Sequence, residues 1–156
     1  WETGGGVATA LPLLGGPDGA PFAVLSADIY TEYDYARLHD AAARIAADRR
    51  STRAHFVLAD NPPHHPLGDM ALDPEGRVRR SGDLLNYGNI GVFDPALFAD
   101  RPVRQAWKLF PWLYAEVEAG RVSGEHWRGA WFNVGTPEEL AALDASLREQ
   151  GSAGPA

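Results

Sequence analysis

The sequence predicts an α/β fold, in which helices flank a mainly parallel sheet. Two apolar runs of strand length lie at 22–25 and 55–59, and such runs are typical of strands covered on both faces. Between them, the segment 34–48 repeats apolar residues at helical spacing. Strand, helix and strand together predict one right-handed βαβ unit.

The first apolar run belongs to the stretch 21–28, which stops on a carboxylate, Asp28. In open α/β sheets, ligands bind at the carboxyl ends of the strands, because the strands deliver their last side chains into a crevice between loops. We therefore expect Asp28 to lie at a site where it can hold a metal ion.

Composition limits the remaining possibilities. The 156 residues are 45% hydrophobic, enough for one domain with a real core. A net charge of −7 argues against nucleic acid or an anionic membrane as the main partner. The chain has no cysteine, which excludes thiolate chemistry, and no apolar run approaches the roughly 18 residues of a membrane span. With no visible signal peptide, we expect a cytoplasmic protein.

Three glycines, Gly4 to Gly6, open the chain just after Trp1. They can present backbone N–H groups to a ligand at the start of a short helix, or they can be a flexible end. Because the chain begins without methionine and runs directly into ETGGG, we expect it to be the middle of a longer protein.

The central part of the chain reads as a loop, a hairpin and a strand. Three prolines predict an irregular loop at 61–69. Adjacent His64 and His65 rarely point at one ion, so a surface loop is favoured over a zinc site. A hairpin is predicted at 70–79 and a strand at 84–93. Two glycines flank Asn89 in that strand, which indicates either a ligand close to the backbone or a β-bulge.

The last third predicts a helix, two short strands and a final helix. The helix at 110–117 should bury Phe110, Leu113, Tyr114 and Val117. Short strands are expected at 122–124 and 127–134. Thr136 and Glu139 then form a capping box around Pro137 at the first helical position. The core positions expected on this final helix are Leu140, Leu143, Ala145 and Leu147. A disordered tail is expected at 151–156.

These motifs, in this order, resemble the sugar-1-phosphate nucleotidylyltransferase family, and within it the N-acetylmuramate-1-phosphate uridylyltransferase type. The matching segments are ETGGG, the strand ending in Asp28, NPPHH with a following Gly-Asp, GNIGVF and SGEHWRGAWFNVGTPEEL. The resemblance extends from Glu2 to about Leu147, and WFNVGTPEEL is its most specific segment.

The resemblance implies a Rossmann-like α/β fold of the nucleotide-diphospho-sugar transferase type, with a mixed, mainly parallel sheet flanked by helices. It also implies a Mg²⁺-dependent reaction. A sugar 1-phosphate attacks the α-phosphate of a nucleoside triphosphate, with UTP expected, and releases pyrophosphate. By position, Asp28 and Asn133 correspond to the catalytic metal ligands of the family. A hard cation binds oxygen ligands and keeps room for substrate phosphates. Because relatives often have Asp in place of Asn133, we expect weaker metal binding in the absence of nucleotide.

The resemblance also implies substrate-binding residues at seven further positions: Glu2, Thr3, Gly4, Gly5, Gly68, Asn89 and Lys108. The first four match the segment that contacts the nucleotide. Gly68 would offer its backbone to the sugar, Asn89 would hydrogen-bond a sugar hydroxyl or acetamido group, and Lys108 would lie near the acceptor phosphate. Glu125 and His126 are expected near the pocket, where they would tune it, although alternation along a strand would turn one of them to solvent.

The glycine-rich triphosphate loop of the family, with its first strand and helix, does not occur in these 156 residues. We therefore interpret 1–150 as the C-terminal portion of a single nucleotidyltransferase domain, incomplete at its N-terminus. Its apolar edge beside Val24 would be exposed and could mediate self-association. The expected setting is cell wall sugar metabolism. The alternative is a non-catalytic sugar- or nucleotide-binding module, or an inactive fragment.

Overall fold

A computed structural model describes residues 2–152 of the chain. The α-helices are α1 (Thr3–Ala10), α2 (Arg37–Ala47), α3 (Leu109–Trp112), α4 (Tyr114–Glu118) and α5 (Pro137–Ser152). The strands are β1 (Phe22–Leu25), β2 (Ile29–Thr31), β3 (Ala54–Ala59), β4 (Ala71–Leu72), β5 (Val78–Arg79), β6 (Asn86–Phe93), β7 (Val122–Trp127) and β8 (Trp131–Asn133). Two 3-10 helices cover Leu11–Leu14 and Pro95–Phe98.

The main sheet has the strand order β1-β6-β3-β7. It is mixed, as predicted, but β6 is antiparallel to both β1 and β3, so that among the described strands only β3 and β7 form a parallel ladder. The strand–helix–strand unit is present in β1, α2 and β3, which run in the same direction. Its two strands are separated by β6 instead of being neighbours.

Strand β1 was predicted to be covered on both faces, and this was wrong. It lies at the end of the described sheet and alternates between half-buried and exposed residues, with Leu25 41% exposed. The strand that is buried throughout is β3, because it has a neighbour on each side and helices on both faces. An apolar edge therefore lies beside Val24, and the self-association expected there stays a prediction.

The core lies on both faces of β3. Val57 packs in a cluster with Leu38 and Ile45 of α2. Phe56 and Leu58, which lie on the opposite face of β3, pack in a second cluster that contains the buried residues of α3 and α4. The period-two alternation of a strand therefore divides the helices between the two faces of the sheet.

The helix predicted at 110–117 is divided into α3 and α4. Phe110 has non-helical φ and ψ angles of −102° and 143°, because a residue before proline is driven out of the helical region. The buried residues are Leu113, Val117 and the unpredicted Leu109, whereas Phe110 and Tyr114 are half-buried.

The start of α5 confirms the predicted capping box. The backbone N–H of Thr136 donates to Glu139 Oε2 at 3.0 Å, and the N–H of Glu139 donates to Thr136 Oγ1 at 3.2 Å. Leu143 is buried as predicted, but Leu140 is 57% exposed. The helix runs to Ser152, so it overlaps the tail predicted at 151–156. Residues 153–156 lie outside the described part of the chain.

Within residues 2–152, no helix combines the length and the apolar character needed to cross a membrane.

Candidate functional site

A small two-stranded sheet brings Asp28 and Asn133 together. Strands β2 and β8 pair antiparallel, with Ile29 opposite Asn133. The backbone N–H of Val134 donates to the carbonyl oxygen of Asp28 at 2.8 Å, which extends the pairing by one step. Two residues that are more than a hundred positions apart in the sequence are thereby held side by side at the carboxyl end of β1.

The side chains of this pair converge around Gly135. A Cβ atom added to Gly135 would lie 3.2 Å from Asn133 Nδ2, 3.8 Å from Asp28 Oδ2 and 3.9 Å from Glu139 Oε2. Glu139 was predicted only as a helix-capping residue, so its place beside the pair was missed. The capping box is the signal that could have found it, because it returns the Glu139 carboxylate to the segment that follows Asn133.

The donor set fits a magnesium ion better than a transition metal. It consists of one carboxylate and one amide, with a second carboxylate nearby, and Mg²⁺ takes such oxygen ligands while it retains several waters. No group of three or more His, Cys, Asp or Glu in the described residues is arranged to hold a metal. The described residues by themselves therefore supply only part of a metal's ligand set.

A cavity of about 100 Å³ lies between α1, the end of β1 and the middle of β6; we call it the β1–β6 cavity. Its lining residues are Thr3, Val24, Ser26, Tyr87, Asn89, Leu109 and Phe110. It brings together two predicted substrate residues, Thr3 and Asn89. Ser26, which sequence analysis missed, donates its backbone N–H to the carbonyl oxygen of Asn89 at 3.1 Å. Because Ser26 precedes Asp28 by two positions, the cavity shares one loop with the predicted metal pair, Asp28 and Asn133.

Asn89 lies in a bulge of β6 that also contacts β8. The register between β3 and β6 shifts here, and Asn89 has a φ of 58°, in the left-handed region. The indole N–H of Trp131 donates to the carbonyl oxygen of Gly88 at 2.8 Å. The sequence left a bulge and a ligand contact open as alternatives. The structure has the bulge and also places Asn89 on the cavity wall.

Gly4 and Gly5 lie inside α1, and not in a loop that precedes it. An added Cβ would come within 2.3 Å of the Trp107 ring at Gly4 and within 1.8 Å of the Gln105 carbonyl oxygen at Gly5. The N–H of Gly5 donates to the Trp107 carbonyl oxygen at 3.2 Å. These glycines permit α1 to pack closely on the 105–107 loop. Their predicted contact with nucleotide stays a prediction.

Glu2, Gly68 and Lys108 do not line the β1–β6 cavity. Glu2 is exposed at the start of α1 and makes no capping hydrogen bond. Gly68 has a φ of 66°, and a Cβ there would lie 2.7 Å from the carbonyl oxygen of Leu84. The backbone conformation and this close approach are sufficient to account for a glycine at this position. Lys108 is exposed and directly precedes Leu109 of the cavity wall.

Glu125 and His126 face opposite sides of β7, as strand alternation requires. His126 Nε2 lies 2.8 Å from Asp60 Oδ1 at the end of β3. Glu125 faces α2, where it contacts His55, Tyr33 and Arg37. Burial raises the pKa of Glu125, but the hydrogen bonds with His55 and Tyr33 and the charge of Arg37 outweigh it and leave the pKa below its ordinary value. Glu125 lines neither the β1–β6 cavity nor the cavity that contains Asn133.

A larger cavity, of about 630 Å³, adjoins the pair through Asn133 and Glu139. Asp60 and His64 also line it. The neighbouring His65 instead lies 3.1 Å from Asp69, so the two adjacent histidines have different surroundings. This agrees with the prediction that they form a surface loop.

Comparison with known proteins finds related sequences, although no family model matches the chain. It is 38% identical over 147 residues to N-acetylmuramate alpha-1-phosphate uridylyltransferase of Neisseria meningitidis serogroup B, covering 92% of this chain and 61% of that protein. It is 32% identical over 155 residues to the protein of the same name from Caulobacter vibrioides, covering 95% of this chain and 62% of the relative. The chain thus spans about three fifths of the length of these relatives.

Solved structures show the same fold at low sequence identity. HddC from Yersinia pseudotuberculosis, also solved in complex with GMP-PN, superposes with a TM-score of 0.68 at 15% identity, over 94% of this chain and 62% of that one. A putative glucose-1-phosphate thymidylyltransferase from Bacillus anthracis, in complex with sucrose, has a TM-score of 0.68 at 12% identity, over 91% and 59%. The predicted fold class is confirmed. The chain is homologous to N-acetylmuramate alpha-1-phosphate uridylyltransferases and has the fold of the sugar-phosphate nucleotidyltransferases, the family that its motifs resemble.

Proposed function

We propose that this chain supplies the metal-binding and acceptor-binding part of a Mg²⁺-dependent sugar-1-phosphate nucleotidylyltransferase. The donor would be UTP and the acceptor N-acetylmuramate 1-phosphate, which the names of the related proteins support. The observation that carries the proposal is the convergence of Asp28 and Asn133 around Gly135. The reaction would take place in the cytoplasm, as part of cell wall sugar metabolism.

Asp28 and Asn133 would hold the metal, which supplies charge neutralisation at the donor phosphates. The carboxylate of Asp28 contributes the formal charge, and the amide of Asn133 contributes a neutral donor. Pairing of β2 with β8, extended by the hydrogen bond between Val134 and Asp28, would fix the backbone positions of both residues. Such preorganisation favours nucleotidyl transfer, because this reaction depends on positioning and charge stabilisation more than on a covalent nucleophile.

The β1–β6 cavity would receive part of the acceptor sugar. Its volume of about 100 Å³ is below the several hundred Å³ typical of pockets that enclose a whole ligand, but it accommodates one substituent such as an acetamido group. Asn89 can donate and accept hydrogen bonds at its wall. Thr3 lies on the same wall. Asn89 is therefore expected to influence acceptor binding more than the rate of transfer.

The test is pyrophosphate release from UTP and N-acetylmuramate 1-phosphate, measured for the chain by itself and within its complete gene product. Asp28→Ala should lower the rate on the order of 10²- to 10³-fold, because it removes the charged metal ligand. Asn89→Ala should mainly raise KM for the acceptor. Asp18→Ala is the matched control, since it removes the same charge from an exposed turn and should change neither parameter.

Undiminished Mg²⁺-dependent release by Asp28→Ala in the complete gene product would refute the assignment. Mg²⁺-dependent binding of UTP or sugar 1-phosphate without turnover in that product would instead favour the alternative, a non-catalytic binding module. For the chain by itself, we expect binding with loss of turnover if no residues hold the β- and γ-phosphates for departure.

A further inference from the structure

A second charged site lies at the other end of the sheet. A cleft of about 510 Å³ is lined by Arg49, Arg50, Arg53, Asp94, Ala96 and Arg121; we call it the arginine cleft. Arg53 directly precedes β3 and Arg121 directly precedes β7, and the backbone N–H of Arg53 donates to the carbonyl oxygen of Arg121 at 2.8 Å. The cleft is therefore at the amino ends of the parallel strands, whereas Asp28 follows the carboxyl end of β1. The length of β3 separates the two edges by about 20 Å.

Two carboxylates beneath the cleft hold three of its arginines in place. Asp94 is 1% exposed and pairs with Arg49 at 3.1 Å and with Arg53 at 3.3 Å. Glu116 pairs with Arg121 at 2.6 Å. Among the described residues, no hydrogen bond uses Arg49 Nε, Arg53 Nη2 or Arg121 Nη1. Guanidinium groups held from below in this way keep donors for a further ligand.

Arg50 adds a fourth positive charge without a carboxylate of its own. Its side chain makes no hydrogen bond or ion pair with the described residues. Hydrogen bonds from Ser51 are the main reason that the pKa of the exposed Asp48 is lowered, and the charge of Arg50 contributes only a smaller part. The cleft therefore has four guanidinium groups over two carboxylates, in a chain whose net charge is −7.

Stabilisation of α2 explains only part of this arrangement. Cations are favourable after the carboxyl end of a helix, and Arg49 and Arg50 follow α2, which ends at Ala47. Arg53 and Arg121 instead come from the starts of two strands. Helix stabilisation does not require these four residues to line one cleft.

We propose that the arginine cleft binds a phosphate chain, either as inorganic pyrophosphate or as the diphosphate part of a nucleotide. Guanidinium groups match phosphate oxygens with paired hydrogen bonds, and several of them together favour an anion with more than one charge. The net charge of −7 disfavours a nucleic-acid polymer as the occupant. The arginine cleft shares no residue with the proposed active site. A phosphate chain bound in the cleft would therefore act as an effector of the proposed reaction.

The test is calorimetric titration of inorganic pyrophosphate into the chain at low salt with EDTA, which removes the metal on which the proposed active site depends. We expect one site in the wild type, weakened roughly fivefold to tenfold by Arg50→Gln, because a charge-assisted contact is lost without any loss of native contacts. Arg44→Gln is the matched control. It removes the same charge from α2, but Arg44 lines a different cavity and should change the affinity less than twofold. Asp28→Ala should leave it unchanged.

Absence of pyrophosphate binding at millimolar concentration, or equal weakening by Arg50→Gln and Arg44→Gln, would overturn the proposal. Loss of binding in Asp28→Ala would do the same, because it would place the anion at the metal pair. Parallel titrations with UDP identify the source of the phosphate chain. Equal affinities for UDP and pyrophosphate indicate recognition of the phosphates alone, and tighter UDP binding that still depends on Arg50 indicates a nucleotide.

Discussion

Replacing Asn133 by Asp tests whether the amide sets the charge of the metal pair. Asn and Asp have nearly the same shape, and the Asn133 side chain makes no hydrogen bond with the described residues. The substitution therefore adds one negative charge beside Asp28 without removing a native contact. We expect Asn133→Asp to bind Mg²⁺ more tightly than the wild type in the absence of nucleotide.

The magnitude follows from exposure and distance. Asp28 is exposed and Asn133 is half-buried, so the effective dielectric constant is closer to that of water than to that of a protein interior. At about 4 Å, a unit charge attracts a divalent ion by about 2 kcal/mol in that limit. Repulsion between the two carboxylates is the same with and without the ion, so it does not change the affinity. The gain of about 2 kcal/mol corresponds to roughly thirtyfold tighter binding.

Calorimetric titration of Mg²⁺ into the chain without nucleotide measures this change. Gln105→Glu is the control, since it adds the same charge at an exposed position of the 105–107 loop and should leave the affinity unchanged. Equal or weaker Mg²⁺ binding by Asn133→Asp would refute the assignment of this side chain to the metal pair.

Three further predictions concern stability. Gly4→Ala should lower the free energy of unfolding by about 1–3 kcal/mol, because its Cβ would meet the Trp107 ring at 2.3 Å. Gly6→Ala is the control: a Cβ there has no atom within 4 Å, so this substitution should raise the free energy of unfolding by about 1 kcal/mol. Equal effects of the two substitutions in urea unfolding would contradict this packing. Trp131→Phe removes a hydrogen bond to the β6 bulge. It should lower the free energy of unfolding by about 1 kcal/mol and weaken Mg²⁺ binding. Unchanged thermal stability would show that this contact does not support β8. The pKa of Glu125 is lowered in the folded protein, so this residue contributes stability above its unfolded pKa that is lost as the pH falls through the folded pKa. Glu125→Gln should therefore lose less stability than the wild type on acidification. An equal loss of stability in the two proteins between neutral and acid pH would oppose this.

Elements that depend on local patterns could be predicted from the sequence. Helix α2, strand β3, the β4–β5 hairpin and the capping box of α5 each follow from spacing or turn chemistry within a few residues. The neighbours of a strand do not follow from such patterns. An apolar run such as 22–25 is compatible with either a central or an edge position. Only the tertiary structure decided that β1 pairs with β6 alone and so lies at the end of the described sheet.

The candidate site divides in the same way. The sequence by itself determined that Asp28 follows the strand at 22–25 and that Asn133 lies in the family-like WFNVGTPEEL segment. It also showed glycines at positions 4, 5 and 68, which permit close approach of the backbone. Only the tertiary structure decided that these glycines approach other parts of the same chain, and that Ser26 and Glu139 lie beside the predicted residues. The physical reason is that strand pairing and helix packing join positions far apart in sequence, and one-dimensional spacing carries no record of which partner fills the space beside a residue.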